Sequence, residues 1–263
     1  MRRMTIDQRQ HLDEQGFVVI RNALAADDVR ALVDAAEALW RIEGDDAGSE
    51  NYIERGVRRL ANLVAKDPVF RSLMLHPAAL DAADLVLGVD DYRLVMLNAR
   101  DPLPAALAAR DVRGVAPSSP LAGITALCDG QPLHCDSDGR NPDARGFRAL
   151  TIIWALDPFD RANGAPRIVP RSHRIGRQPE EVLADIYGAH PEEIIVEGEA
   201  GDAVVINAHA WHGGRNNRSS GTRRSLLAHY YRRDMPVTPR RRPNFTPAQL
   251  AELTAAERAL LDL

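Results

Sequence analysis

The stretch Gln131-Pro132-Leu133-His134-Cys135-Asp136 sets an imidazole and a carboxylate two residues apart. In an extended segment, side chains two apart point to one side. His134 and Asp136 then face a common point, and Cys135 turns away. An imidazole and a carboxylate presented together suit a divalent metal; a surface turn with an ion-paired Asp136 would use the same residues. Far downstream, His209-Ala210-Trp211-His212-Gly213-Gly214 follows Gly201-Asp202 and the apolar run Ala203–Ile206. A turn feeding a strand that ends in histidine delivers a ligand to the mouth of a β-barrel. One histidine of this pair joins His134 and Asp136 to make two imidazoles and a carboxylate. That set holds iron on one face and leaves positions open for a co-substrate and O₂.

Arg223-Arg224-Ser225 opens another apolar run. By strand alternation Arg223 and Ser225 share a face and Arg224 points the other way. A guanidinium beside a hydroxyl grips a carboxylate by charge-assisted hydrogen bonds, as the distal carboxylate of 2-oxoglutarate requires. An exposed basic strand end is the plainer alternative. Gln131 and Asn98 are further polar candidates for the cofactor-binding wall, and Trp211 reads as packing.

Between the two histidine motifs run Trp154-Ala155-Leu156-Asp157 and Asn163-Gly164-Ala165-Pro166-Arg167-Ile168-Val169-Pro170-Arg171-Ser172-His173. With the motifs above, these stretches resemble the phytanoyl-CoA dioxygenase (PhyH) family of Fe(II)- and 2-oxoglutarate-dependent oxygenases, which has Asn-Gly-Ala and Val-Pro-Gly-Ser-His segments. Arg171 stands where glycine is common in that turn. The likeness covers residues 124 to 231 well, and the N-terminal helices with Phe17–Ile20 loosely. It implies a mainly β chain with flanking helices around a double-stranded β-helix, a cupin-like jelly roll. It implies Fe(II) held by His134, Asp136 and His212. His212 is chosen over His209 because Asn217 and Arg223 follow it at the family's spacing, five and eleven residues on. It also implies 2-oxoglutarate and O₂ as co-substrates, with Arg223 as the 2-oxoglutarate anchor and Ser225 beside it. His173, in the Ser-His turn, reads as structural. Related halogenases lack the carboxylate and bind halide in its place. Asp136 therefore favours hydroxylation, with release of succinate and CO₂, or another oxidation that begins with hydrogen abstraction.

Two other functions fit part of the pattern. A cupin-like metal-dependent isomerase or hydrolase would keep the metal ligands but has no use for Arg223 and Ser225. A catalytically inactive binding protein on the same fold has no need of intact ligands. The family acts on acyl-CoA thioesters, amino-acid derivatives and natural-product intermediates, and no motif here selects among them. Arg140, Arg145 and Arg148, with the segment Asp101–Pro120, are candidates to shape that choice, or are solvated loop charges.

The elements that must position these residues follow from periodicity. From Asp28 to Trp40, apolar residues fall at Val29, Leu32, Val33, Ala36, Leu39 and Trp40, one face of a helix. The β-like run Phe17–Ile20 precedes it. Pro77–Leu87 forms another helix, with Pro77 in its first turn and Gly88 at its end. Beyond Tyr92 come short β-like runs: Tyr92–Leu97, Ile124–Cys128, Arg148–Trp154, Ile194–Val196, Ala203–Ile206 and Arg223–Tyr231. Closely spaced strands of this kind indicate a sandwich or barrel. Asp101–Pro120, rich in Ala, Pro and Ser, reads as a long loop. Thr246 and Thr254 are N-cap candidates for short helices in the tail. The whole reads as one oxygenase domain, 1–263: a mainly helical part over 1–90, a jelly-roll core over 91–235 and a tail over 236–263.

A chain of 263 residues buries a core without disulfide or metal support. It is 45% hydrophobic and 27% charged, with net charge −4 and pI about 6.1. No basic field suggests nucleic acid, so a small-molecule substrate is the expected partner. No motif encodes the oligomeric state. Lys66 is the only lysine; arginine in its place elsewhere, with abundant alanine, points to a GC-rich bacterium and to bacterial specialised metabolism. Cys128 and Cys135 are too few for a disulfide framework. Met1-Arg2-Arg3-Met4 lacks the apolar run of a signal peptide, and no stretch reaches a membrane span in length. The expected setting is cytoplasmic.

Overall fold

The computed structural model describes residues 3–108, 130–139, 142–238 and 241–263. The chain runs through α1 (Ile6–Gln15), β1 (Phe17–Ile20), α2 (Ala26–Glu43), β2 (Val57–Leu60), two one-turn helices α3 (Leu63–Lys66) and α4 (Arg71–Met74), and α5 (Pro77–Leu87). Then follow β3 (Tyr92–Pro102), α6 (Ala105–Ala108), β4 (Ala149–Ala155), β5 (Pro166–Ile168), β6 (Ile194–Ile195), β7 (Ala203–Asn207), β8 (His212–Gly214) and β9 (Ser225–Arg232). Helices α7 (Pro247–Glu252) and α8 (Ala255–Leu261) complete the described elements.

Six strands form one antiparallel sheet in the order β1-β7-β4-β9-β3-β2, and a smaller sheet has the order β6-β5-β8. The segment 130–134 continues the smaller sheet along β8 through the bridges Gly130↔Arg215 and His134↔His212. Alternation along β4 shows how the layers are made. Leu150, Ile152 and Trp154 join the cluster that includes Leu32 and Ala36 of α2 and Ala79, Ala82 and Ala83 of α5. Ile153 and Ala155 face inward and pack with Ile168 of β5 and Val204 and Ile206 of β7. Helices cover the outside of the large sheet, and the two sheets face each other. This is the double-stranded β-helix with flanking helices that the sequence indicates. Its inner face changes character along β3 and β9, where Asn98, Arg100, Ser225 and His229 stand among buried polar residues.

The elements differ from the sequence pattern in instructive places. Strand β3 extends to Pro102, so the segment read as a loop from Asp101 begins as strand and goes on into α6. Its remainder from 109, the expected strand Ile124–Cys128 and Arg140 lie outside the described residues. The strand expected from Arg223 starts at Ser225, because Asp101 Oδ1 accepts the Arg223 backbone N–H at 2.9 Å and ends the ladder there. Thr246 and Thr254 cap α7 and α8. No helix among the described residues is long and apolar enough to cross a membrane.

Candidate metal centre

His134 and His212 face each other as a ladder pair, joined by His134 N–H to His212 carbonyl (2.9 Å) and the reverse (3.0 Å). Each ring is fixed at Nδ1, which lies 2.9 Å from a carbonyl two residues back: Pro132 for His134 and Ala210 for His212. Donation from Nδ1 leaves each Nε2 lone pair for a ligand, the usual arrangement for a metal-binding histidine. The Asp136 carboxylate meets both. His134 Nε2 lies 3.6 Å from Oδ1 and His212 Nε2 lies 3.3 Å from Oδ2. One ligand atom from each of the three residues falls within 4.8 Å of the others. Metal bonds of about 2.0–2.2 Å at right angles would hold neighbouring ligand atoms about 3 Å apart, so the residues present fit one ion.

Two residues that the sequence reading did not single out hold this carboxylate. Thr151 Oγ1 donates to Asp136 Oδ2 at 2.7 Å. His229 Nδ1 lies 3.2 Å from Thr151 Oγ1 and 3.7 Å from Asp136 Oδ2. Thr151 and His229 are register partners across β4 and β9. Burial pulls the His229 pKa down to about 4 despite Asp136, so its ring is neutral and its Nδ1–H is free to donate to Thr151. Burial also pushes the Asp136 carboxyl up, but the charge of His212, with the hydrogen bonds from His134 and His212, holds it well below the usual carboxylate range. Burial lowers His212; Asp136 outweighs that and raises it. The signal for His229 was present in the sequence. It lies an even number of residues from Arg223 and Ser225, on the same strand face.

His209 is not part of this cluster. It is buried, and its Nε2 accepts the Arg148 backbone N–H at 3.2 Å. His173 is buried too, with Nε2 3.0 Å from the Asp13 carbonyl. Trp211 packs with Leu133 and Val169. Arg171 has φ 65°, which explains why glycine is common at that turn position.

Arg223 and Arg224 divide as alternation requires. Arg224 points outward into ion pairs with Asp157 (2.7 Å) and Glu37 (3.3 Å). Arg223 is 2% exposed, and its guanidinium carbon lies 5.3 Å from the centre of the inward-facing Phe159 ring. Among the described residues its Nε and Nη2 have no partner. Burial and the neighbouring Arg100 lower its pKa to about 9. Asp101 does not neutralise it, since that carboxylate takes the Arg223 backbone N–H and the Arg58 side chain (2.7 Å). Arg100 is itself committed to Glu54 (2.6 Å), which also binds Arg59 (2.7 Å). Burial raises the Glu54 carboxyl, but the two arginines hold it at about 2.

The remaining candidates serve differently. The Ser225 hydroxyl donates to the Arg100 carbonyl at 3.1 Å, so its proton is already used. Gln131 Oε1 accepts the Gly214 N–H at 2.9 Å; it ties the 130–134 segment to β8 and borders a cavity of about 120 Å³ with Arg100. Asn98 lines a different cavity, with Asn62 and Arg241. Asn217 donates to the Pro102 and Gly221 carbonyls (3.0 and 2.7 Å) and organises the turn before Arg223. Arg145 pairs with Asp91 and Asp234, and Arg148 with Asp138.

A jelly roll that gathers two imidazoles and a carboxylate on one face has the donor set of the non-haem metal oxygenases. Comparison with known proteins narrows that class. A model of the phytanoyl-CoA dioxygenase (PhyH) family matches residues 12–225. The chain belongs to that family, and so to the Fe(II)- and 2-oxoglutarate-dependent dioxygenases. It is 25% identical over 234 residues to dioxygenase af480 of Aspergillus fumigatus, covering 86% of this chain and 66% of that protein, so it spans about two thirds of that relative's length. It is 22% identical to the ectoine dioxygenase of Bordetella parapertussis, over 90% of this chain and 78% of that one. Among solved structures, AviO1 from Streptomyces viridochromogenes superposes with a TM-score of 0.66 at 21% identity, over 91% of this chain and all of that one. The epimerase SnoN, solved with Fe3+, alpha ketoglutarate and nogalamycin RO, gives a TM-score of 0.61 at 19% identity, over 86% and 82%. At these identities the solved structures are similar in fold.

Proposed function

We propose that this protein hydroxylates a small organic molecule or natural-product intermediate, with His134, Asp136 and His212 holding Fe(II) and Arg223 anchoring 2-oxoglutarate. The Arg223 guanidinium carries the reading. A buried cation without a partner costs several kcal/mol, and a fold retains one where a ligand supplies the counter-charge. A hydrolase, or an isomerase that works without 2-oxoglutarate, has no use for it on the same metal. The carboxylate of Asp136 supports hydroxylation over halogenation. The arginine- and alanine-rich composition supports a place in bacterial specialised metabolism.

Bound iron with 2-oxoglutarate and O₂ supplies the oxidising power that removes a hydrogen atom from carbon, with succinate and CO₂ as co-products. The chain's own residues prepare that step. The Pro132 and Ala210 carbonyls orient the two imidazoles, so that only Nε2 faces inward. Thr151 fixes one oxygen of Asp136 and thereby the direction of the other. Arg223 holds the far carboxylate, so the keto-acid end is directed toward the metal. The test is anaerobic addition of Fe(II) and 2-oxoglutarate. The weak visible charge-transfer band of a chelated keto acid is expected, and slow succinate formation should follow when O₂ is admitted. Folded, iron-loaded protein that shows neither would overturn the reading.

A further inference from the structure

We infer that the primary substrate carries an oxyanion, a carboxylate or a phosphate-type group, held by the Asn98 amide and the Arg241 guanidinium in a cavity beside the metal centre. This rests on the oxygenase reading and names the substrate class that it leaves open. The cavity, about 180 Å³, lies between β3 and the segment 241–244. Asn62 fastens that segment as a wall: its Nδ2 donates to the Asn244 carbonyl at 2.9 Å and its Oδ1 accepts the Asn244 N–H at 3.1 Å. Met96, on the opposite wall, is the register partner of His229, whose Nδ1 is 3.7 Å from Asp136. The Arg241 guanidinium meets the Tyr231 phenol, and that phenol lies 3.4 Å from the Asp136 carbonyl. His229 and Tyr231 therefore form the layer between this cavity and the metal centre.

The donors decide the ligand. Asn98 is 2% exposed. Its Oδ1 accepts the Asn62 N–H at 3.2 Å, which fixes the amide's orientation, and its Nδ2 has no partner among the described residues. A buried donor left unsatisfied is destabilising, so an acceptor is expected from a ligand. Arg241 and Arg242 border the same space. The one acid in its wall, Glu50, is drawn to Lys66 Nζ at 3.0 Å. An amide donor and guanidinium charge without a facing carboxylate suit an anionic acceptor. The volume is below the roughly 300–1,000 Å³ of pockets that enclose drug-sized ligands, so it takes a small substrate or the anionic end of a larger one. Asn98 thereby serves the substrate, where the sequence had suggested the co-substrate.

The test uses benzoate, phenyl phosphate and neutral methyl benzoate as probes, read by ligand-observed NMR on Zn(II)-loaded protein saturated with 2-oxoglutarate. Saturation closes the Arg223 site to the probes. Benzoate or phenyl phosphate should bind and methyl benzoate should not; which anion binds tighter separates carboxylate from phosphate substrates. Arg241→Gln and Asn98→Asp should each weaken the anion at least about tenfold, the worth of a charge-assisted hydrogen bond. Both variants should keep the anaerobic Fe(II)·2-oxoglutarate band, which shows that they fold and load. Equal binding of ester and acid, no binding of any probe, or anion binding unchanged in both variants would overturn the inference. If the wild type lacks the band yet binds the anion through Arg241 and Asn98, the anion site stands and the oxygenase reading falls.

Discussion

Arg223→Gln should produce two effects of opposite sign, and the structure sets the size of each. In the absence of 2-oxoglutarate the wild-type guanidinium is a buried charge with two nitrogens unpartnered among the described residues. Its pKa of about 9 records that burial and Arg100 oppose the charge. Glutamine keeps the approximate shape and removes the charge, so the ligand-free variant should melt higher than the wild type. Arginine keeps its proton over the accessible pH range, so the gap between variant and wild type should persist through neutral and mildly alkaline pH. Toward 2-oxoglutarate the effect reverses. Breaking a hydrogen-bonded charge pair at a buried site costs roughly 2–5 kcal/mol. Each 1.4 kcal/mol is about tenfold, so affinity should fall at least about tenfold, and added 2-oxoglutarate should no longer raise the melting point as it does in the wild type.

The assay is thermal melting with and without 2-oxoglutarate, beside the 2-oxoglutarate dependence of succinate formation and the iron content. Arg224→Gln is the control. It breaks outward ion pairs with Asp157 and Glu37, so it should lower stability modestly and leave 2-oxoglutarate affinity alone. Lysine at 223 should rescue only in part, because it keeps the charge without the planar fork. Arg223 is not the 2-oxoglutarate anchor if Arg223→Gln leaves 2-oxoglutarate affinity at the wild-type value, or if it destabilises the ligand-free protein as Arg224→Gln does.

Three further outcomes test the metal centre and the turn that carries Arg171. Thr151→Val keeps the side-chain shape but removes the 2.7 Å bond to Asp136; Fe(II) titration should show affinity lower by about ten- to a hundredfold, the usual cost of losing such an outer partner. His212→Ala should abolish iron binding by metal analysis, while His209→Ala should retain iron and lose some thermal stability, because the Arg148 N–H loses its acceptor. Arg171→Gly relieves a left-handed backbone at φ 65° and should stabilise the protein by about 1 kcal/mol in a denaturant titration, without changing turnover.

Period-two alternation made much of this site readable in the sequence. It set His134 with Asp136, and it set Arg223 apart from Arg224. Followed further along the same strand, it reaches His229 and Tyr231, both of which contact Asp136. Strand β2 stayed hidden because Arg58 and Arg59 fill it with charge, one paired to Asp101 and the other to Glu54. An apolar pattern cannot report a strand whose buried partners are carboxylates. Strands β5 and β8, of three residues each, are too short for any period to register. The wall at 241–244 is held to the sheet by Asn62, 182 residues earlier in the chain, and no local signal anticipates such a return.

The same buried charges explain how the two ends of the site differ. Glu54 spans Arg59 and Arg100, so the charges of those two arginines are balanced within the fold. Burial, and then Arg100, the cation that Glu54 keeps in place, oppose the Arg223 charge. The carboxylate that would have neutralised Arg223, Asp101, is turned away to Arg58. Among the described residues the fold thus compensates Arg59 and Arg100 and leaves two Arg223 nitrogens unpartnered. An apolar residue at 223 would make a more stable barrel, which is why the proposal gives that position to an anionic ligand.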